Sequence, residues 1–133
     1  PGLSITQQAC PMWVPLVENN EMDNAGADYF IKRDIERLLQ TDTAIDTILL
    51  ACTHYPLLKN SIRRFLPENI RLVEQGAIVA TSLQEYLHRH NAINVQLTTT
   101  GQVAFYTTGD PADFDGPASK FYGSPVKSHY LQL

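Results

Sequence analysis

Thr47-Ile48-Leu49-Leu50-Ala51-Cys52-Thr53-His54-Tyr55-Pro56-Leu57-Leu58 is the stretch on which the reading of this chain turns. Thr47 to Ala51 is a short, continuous apolar run, the pattern of a strand covered by helices on both faces. Pro56 suits the first position of a helix, because its fixed φ is already helical and an N–H there would lack an intrahelical partner. Leu58, Ile62, Phe65 and Leu66 then form an apolar stripe at helical spacing, and Pro67 stops it. A buried strand therefore hands over to a helix, with Cys52 at the junction. The helix end there offers unpaired amides and a positive dipole, which stabilise a thiolate and attract carboxylates. His54 supplies a proton partner and Thr53 a hydroxyl. A thiol, a base and an anion pocket together suit proton transfer at the α-carbon of an amino acid.

Outward from this junction, helical and extended patterns alternate. Upstream, Leu3 to Gln7 alternates like a short strand, and Met12 to Glu18, apolar and interrupted by Pro11 and Pro15, reads as a short helical turn or a wall segment. Ala27, Ile31, Ile35, Leu38 and Leu39 place a helix over about Asn24 to Gln40, with its charges on the opposite face. Downstream, Ile70 to Val73 reads as a strand and Gln75-Gly76 opens a helix on which Val79, Leu83, Tyr86 and Leu87 share a face. Asn91 to Gly101 is a polar loop with weak strand character, and Val103 to Thr107 a strand. Asp110 caps a helix whose first residue is Pro111, with Asp113 in its first turn. That helix ends near Gly123, and Val126 to Leu133 alternates as a last strand. Alternation of this kind predicts an α/β fold with mainly parallel sheet and flanking helices. Ligands of such sheets bind where strands end and helices begin, which is where Cys52 stands.

Composition excludes several classes. The 133 residues are 44% hydrophobic and 18% charged, with a net charge of −4, the balance of an ordinary globular chain. Lysines and arginines are scattered with no basic stripe, which argues against nucleic acid. No apolar run approaches the roughly 20 residues that cross a bilayer, and the first residues lack the pattern of a signal peptide. A cytoplasmic protein is the expectation, with no membrane partner. The two cysteines, Cys10 and Cys52, then read as separate thiols. Cys10, beside a proline in an apolar segment, reads as a small buried hydrophobe. Trp13 and the tyrosines read as packing residues. His88, His90 and His129 read as solvent-facing, at spacings that match no metal site.

Three motifs, in order, resemble the glutamate racemases. Cys52-Thr53-His54-Tyr55-Pro56-Leu57-Leu58 is similar to the second cysteine signature of that family. Ala9-Cys10-Pro11 through Val14-Pro15-Leu16-Val17-Glu18 is similar to its acidic segment. Val73-Glu74-Gln75-Gly76-Ala77-Ile78-Val79-Ala80 is similar to the strand, turn and helix that lead back to the amino-terminal domain. The resemblance covers the chain up to its terminal strand and points to the carboxy-terminal half of such an enzyme. It implies parts of two Rossmann-like lobes, residues 1–74 from the second and residues 75–133 from the first. It also implies cofactor-independent interconversion of L- and D-glutamate, supplying peptidoglycan synthesis, by two cysteines on opposite faces of the α-carbon. Cys52 takes the place of the second cysteine, on the L-glutamate side. His54 matches the assisting histidine, Thr53 with His54 the substrate-binding positions, and Glu18 the acid that supports the histidine. No metal and no cofactor belong to this design. Its partners are glutamate and the amino-terminal half of the same protein, and a homodimer is compatible with it.

The chain departs from the family at Ala51, where glycine is usual, and at Glu74-Gln75-Gly76, where Asp-Ser-Gly is usual. It also lacks the first cysteine motif, so the chain is expected to be a piece that does not racemise glutamate alone. Three rivals stand beside this reading. An aspartate or hydantoin racemase would share the fold and the cysteine, but the His-Tyr-Pro after Thr53 favours glutamate. A phosphatase-like loop would need a Gly-rich turn and an arginine, and after Cys52 no arginine appears until Arg63. A non-catalytic fragment with a structural or binding role is the third.

Overall fold

The computed structural model describes residues 2–133. Their elements are α1 (Trp13–Glu18), α2 (Ala25–Thr41), β1 (Thr47–Leu49), a 3-10 turn (Tyr55–Leu58), α3 (Lys59–Phe65) and β2 (Arg71–Val73), followed by α4 (Gln75–Arg89), α5 (Asn91–Asn94), β3 (Phe105–Thr107), α6 (Pro111–Tyr122) and β4 (Ser128–Tyr130). β1 pairs parallel with β2, Thr47 opposite Arg71 and Leu49 opposite Val73. β3 pairs parallel with β4, Phe105 opposite Ser128. Two short parallel sheets with flanking helices make this the α/β fold expected from the alternation. The chain divides into two compact units, up to Ser82 and from Leu83, within α4.

In the first unit the aliphatic residues of α1, α2 and α3 meet those of β1 and β2. Trp13, Leu16, Val17, Ala27, Ile31, Ile35, Leu50, Leu58, Ile62, Leu66 and Ile70 form its buried core. α2 starts where Asn24 caps it, the side-chain carbonyl accepting from the Ala27 amide at 2.9 Å. Arg64 reaches Asp28 at 2.6 Å and so ties α3 to α2. In the second unit Asp110 caps α6 by accepting from the Ala112 amide at 2.8 Å, with Pro111 first in the helix. Gly123 ends α6 at φ +78, in the left-handed region that an L side chain adopts only with strain.

Several expectations need correction. Leu3 to Gln7 is not a strand: alternation fits the pleat, but no neighbouring strand pairs with this segment, and an unpaired strand leaves its amides without a ladder. Asn91 to Asn94 is a short helix rather than loop, because its amides close back onto His90 and Asn91. β1 is not covered on both faces. Ile48 and Leu50 point inward, whereas Leu49 is 57% exposed. Pro56 does not begin an α-helix: it lies in the 3-10 turn, and α3 proper begins only at Lys59. The helix-dipole contribution at Cys52 is correspondingly weaker than a helix starting at Pro56 would give.

A candidate thiol–imidazole–carboxylate site

The end of β1 and the end of β2 lie side by side because the strands are parallel and in register. The amide of Leu50 donates to the Val73 carbonyl at 2.9 Å and extends the pairing one residue past β1. Beyond it, Ala51 leaves the sheet and Cys52 begins a turn, closed by the Tyr55 amide on the Cys52 carbonyl at 3.3 Å and the Leu57 amide on His54 at 3.1 Å. After β2, Gln75 and Gly76 open α4 at the same sheet edge. Between them lies a cleft of about 440 Å³ lined by Leu50, Cys52, Thr53, Pro56, Gln75, Gly76, Val79 and Ala80. A crevice outside the carboxyl ends of parallel strands is where α/β folds take ligands. Its lining is mostly apolar, with Cys52, Thr53 and Gln75 as the polar groups.

Behind the thiol stands a short relay. Cys52 Sγ is 4.0 Å from His54 Nδ1, and Thr53 Oγ1 is 3.4 Å from the same nitrogen. On the other side of the ring, His54 Nε2 is 3.3 Å from Glu18 Oε1. A carboxylate only accepts, so Nε2 carries the hydrogen, and in the neutral ring Nδ1 is left as an acceptor facing the thiol. Proton movement from Sγ to Nδ1 then leaves a thiolate beside an imidazolium whose charge Glu18 offsets. The 4.0 Å separation is long for such a transfer; the distance typically shortens when a ligand fills the cleft.

Each residue of the relay comes from a different device. Cys52 is fixed by the strand exit, and His54 by the turn. Glu18 is carried by α1, which buries Trp13, Leu16 and Val17 against the core while its last residue stays exposed. Cys52, His54, Glu18 and Thr53, singled out by sequence, are thus brought together, but Cys52 and Thr53 line the cleft whereas His54 and Glu18 stand outside that lining. Gln75 was not singled out by sequence. It lines the cleft and its Nε2 lies 3.5 Å from the Leu50 carbonyl; the sequence placed it in the third family-like motif as a helix opener, with no part in the site. Among the described residues no group of three or more His, Cys, Asp or Glu side chains is placed to hold a metal ion. Among the same residues no helix is long and apolar enough to cross a membrane.

Cys10 lies away from this cleft, partly buried against the core. Burial, and secondarily the nearby Asp34 carboxylate against an opposing Arg33, pushes its thiol up to about 12. At pH 8 only about one Cys10 in 10⁴ is then ionised. Alkylation with iodoacetamide at that pH is expected to label Cys52 and spare Cys10, because the thiolate is the nucleophile. Labelling of Cys10 should gain about tenfold per pH unit up to about pH 12. Peptide mass spectrometry reads both sites, and comparable labelling of the two at pH 8 would refute the contrast.

No protein-family model matches the chain. A glutamate racemase from Lactiplantibacillus plantarum is 32% identical to it over 125 residues, covering 94% of this chain and 45% of the relative. The crystal structure of a glutamate racemase isoform from Bacillus anthracis superposes with a TM-score of 0.81 at 30% identity, across 98% of this chain and 48% of that one. A glutamate racemase from Thermus thermophilus, solved in complex with β-chloro-D-alanine, superposes with a TM-score of 0.76 at 26% identity, across 95% of this chain and 46% of that one. The chain spans a little under half the length of the curated relatives it matches.

Proposed function

This chain is a relative of the carboxy-terminal half of the glutamate racemases, and from that premise we propose that it furnishes one proton-transferring face of a glutamate racemase. Cys52 takes or returns the α-hydrogen on the L-glutamate side, His54 holds the proton that leaves the thiol, and Glu18 orients and charges the imidazole. Thr53 and His54 contact the substrate. The second cysteine comes from a polypeptide equivalent to the amino-terminal half of the relatives. Residues 1–74 belong with one lobe and 75–133 with the other. The chemistry needs no cofactor, since a thiolate removes the proton and a thiol on the opposite face returns one. Its product, D-glutamate, feeds peptidoglycan, and the setting is the cytoplasm.

The observation that carries this reading is the Glu18–His54–Cys52 relay ending on a cleft at the edge of a parallel sheet. The ligand of the Thermus thermophilus relative, an amino-acid analogue, is of the size and class such a cleft admits. The chain by itself is expected to leave L- and D-glutamate unchanged, because inversion requires a base on each face. Supplied with the amino-terminal half of a relative, it is expected to racemise both, followed by circular dichroism. Turnover of aspartate but not glutamate by the pair would reassign the substrate, and robust turnover by the chain alone would overturn the two-base reading.

A further inference from the structure

The two ends of the relay come from distant segments, and an exposed ion pair holds long side chains together only weakly. Glu18 has a side chain 58% exposed at the end of a six-residue helix. Trp13, Leu16 and Val17 seat α1 in the core, and a direct tie from its start to the turn adds to that packing. The contacts made by Tyr55, the residue after His54, supply it. Its hydroxyl donates to the Cys10 carbonyl at 3.4 Å, and that same carbonyl accepts the Trp13 amide at 3.2 Å, the bond that opens α1. The Tyr55 ring also meets Trp13 edge-on, with centroids 4.8 Å apart and planes at 63°. One carbonyl therefore joins the first turn of the helix that ends in Glu18 to the turn that bears Cys52 and His54. Burial, and then negative charge at the neighbouring Cys10, Cys52 and Asp34 groups, pushes the Tyr55 phenol above its ordinary value, so it remains a donor across neutral pH.

We propose that Tyr55 is a positioning residue, a strut from the catalytic turn to the start of α1 that sets Glu18 at the imidazole of His54. It touches no reacting atom and acts through Glu18. The inference rests on Cys52 working as a proton-transferring thiol, whatever the substrate, and its test reads that thiol directly rather than racemisation. Without the strut, Glu18 drifts from Nε2, and the imidazole loses the carboxylate that makes it a better acceptor for the Cys52 proton.

The experiment is the rate of Cys52 alkylation by iodoacetamide in the intact chain, measured across pH for the wild type, Tyr55→Phe, Glu18→Gln and the double variant. Tyr55→Phe keeps the ring on Trp13 and removes only the hydroxyl. Near pH 7 it is expected to slow Cys52 labelling by about threefold to tenfold, the scale of one lost hydrogen bond. In the Glu18→Gln background the same change is expected to have no further effect, since residues acting through one another are non-additive. An unchanged rate in Tyr55→Phe, or an equal slowing with and without Glu18, would overturn the proposal. Trp13→Phe, which shortens the strut from its other side, provides a second variant with the same expected direction and the same dependence on Glu18, should Tyr55→Phe lose its helical circular dichroism.

Discussion

Replacing Cys52 with alanine is expected to lower glutamate racemisation by about 10²- to 10⁴-fold, the range typical for losing a positioned acid–base group. The loss should be the same from L- and from D-glutamate. On the proposed two-base reading, Cys52 removes the α-hydrogen in one direction and returns one in the other, and a path that needs the thiol forward needs it in reverse. The chain paired with the amino-terminal half of a relative is the system in which to measure it, with circular dichroism following each enantiomer separately. Cys52→Ser is a sharper version, since it keeps the shape and changes the acidity of the group. A hydroxyl is far harder to ionise than a thiol, and an effect close to that of alanine would show that proton transfer, not packing, has been lost. If the alanine variant kept a tenth or more of the parent rate in either direction, Cys52 would not be a base. A thermal melt of each variant separates loss of chemistry from loss of fold, and Cys52, only partly buried, should alter the melt little.

The elements that place this thiol were legible because their signals are local. Thr47 to Ala51 announces a strand by its apolar run, Ile31 and Ile35 announce a helix by their spacing, Asp110 announces another as its cap, and Pro67 announces a stop. The alternation they produce implies parallel pairing, and β1–β2 and β3–β4 pair in that way. What could not be read is what depends on partners. Leu3 to Gln7 has a strand's alternation and no neighbour to pair with. Leu49 sits in an apolar run, yet the described residues leave it open. Within the site, Cys52, Thr53 and His54 share one turn and were visible as a unit. Glu18 was tied to them only by resemblance, since its contact with His54 spans two segments brought together by core packing. Gln75 and Tyr55 illustrate the same limit: one is set by the register of two strands, the other by a hydrogen bond between residues 45 apart in sequence. Asp34 is a different kind of miss. Charges on α2 read as a solvated face, but Asp34 is three residues after Ile31 and one before Ile35, on the face that packs inward, and it is only 1% exposed.

That buried carboxylate yields the largest stability effect expected. Arg33→Ala should destabilise the chain by roughly 3–5 kcal/mol, the cost of leaving a buried charge without its principal partner. Asp34 Oδ1 accepts from Arg33 Nε at 2.8 Å and lies 2.7 Å from its Nη2, a two-pronged contact. Arg37 lies 3.9 Å away with a side chain 59% exposed, too far and too hydrated to replace it. The second oxygen, Oδ2, is buried with no hydrogen-bond partner among the described residues, so the carboxylate has little other support. Arg33 also stacks over Phe30 at 4.9 Å, and alanine forfeits that contact too. Asp34→Leu is the informative contrast. It removes the charge together with the need for a partner and keeps an apolar body in the core, so it should cost much less than Arg33→Ala despite altering the more buried residue. Urea unfolding of the two variants decides the matter, compared at matched slope so that midpoints report stability. Were Asp34→Leu the more damaging, the pair would be contributing net stability through its own attraction. The outcome bears on the site as well, because Asp34 and Arg33 act electrostatically on Cys10, whose carbonyl receives Tyr55. A core that loosens around Asp34 should also release the segment that carries Glu18.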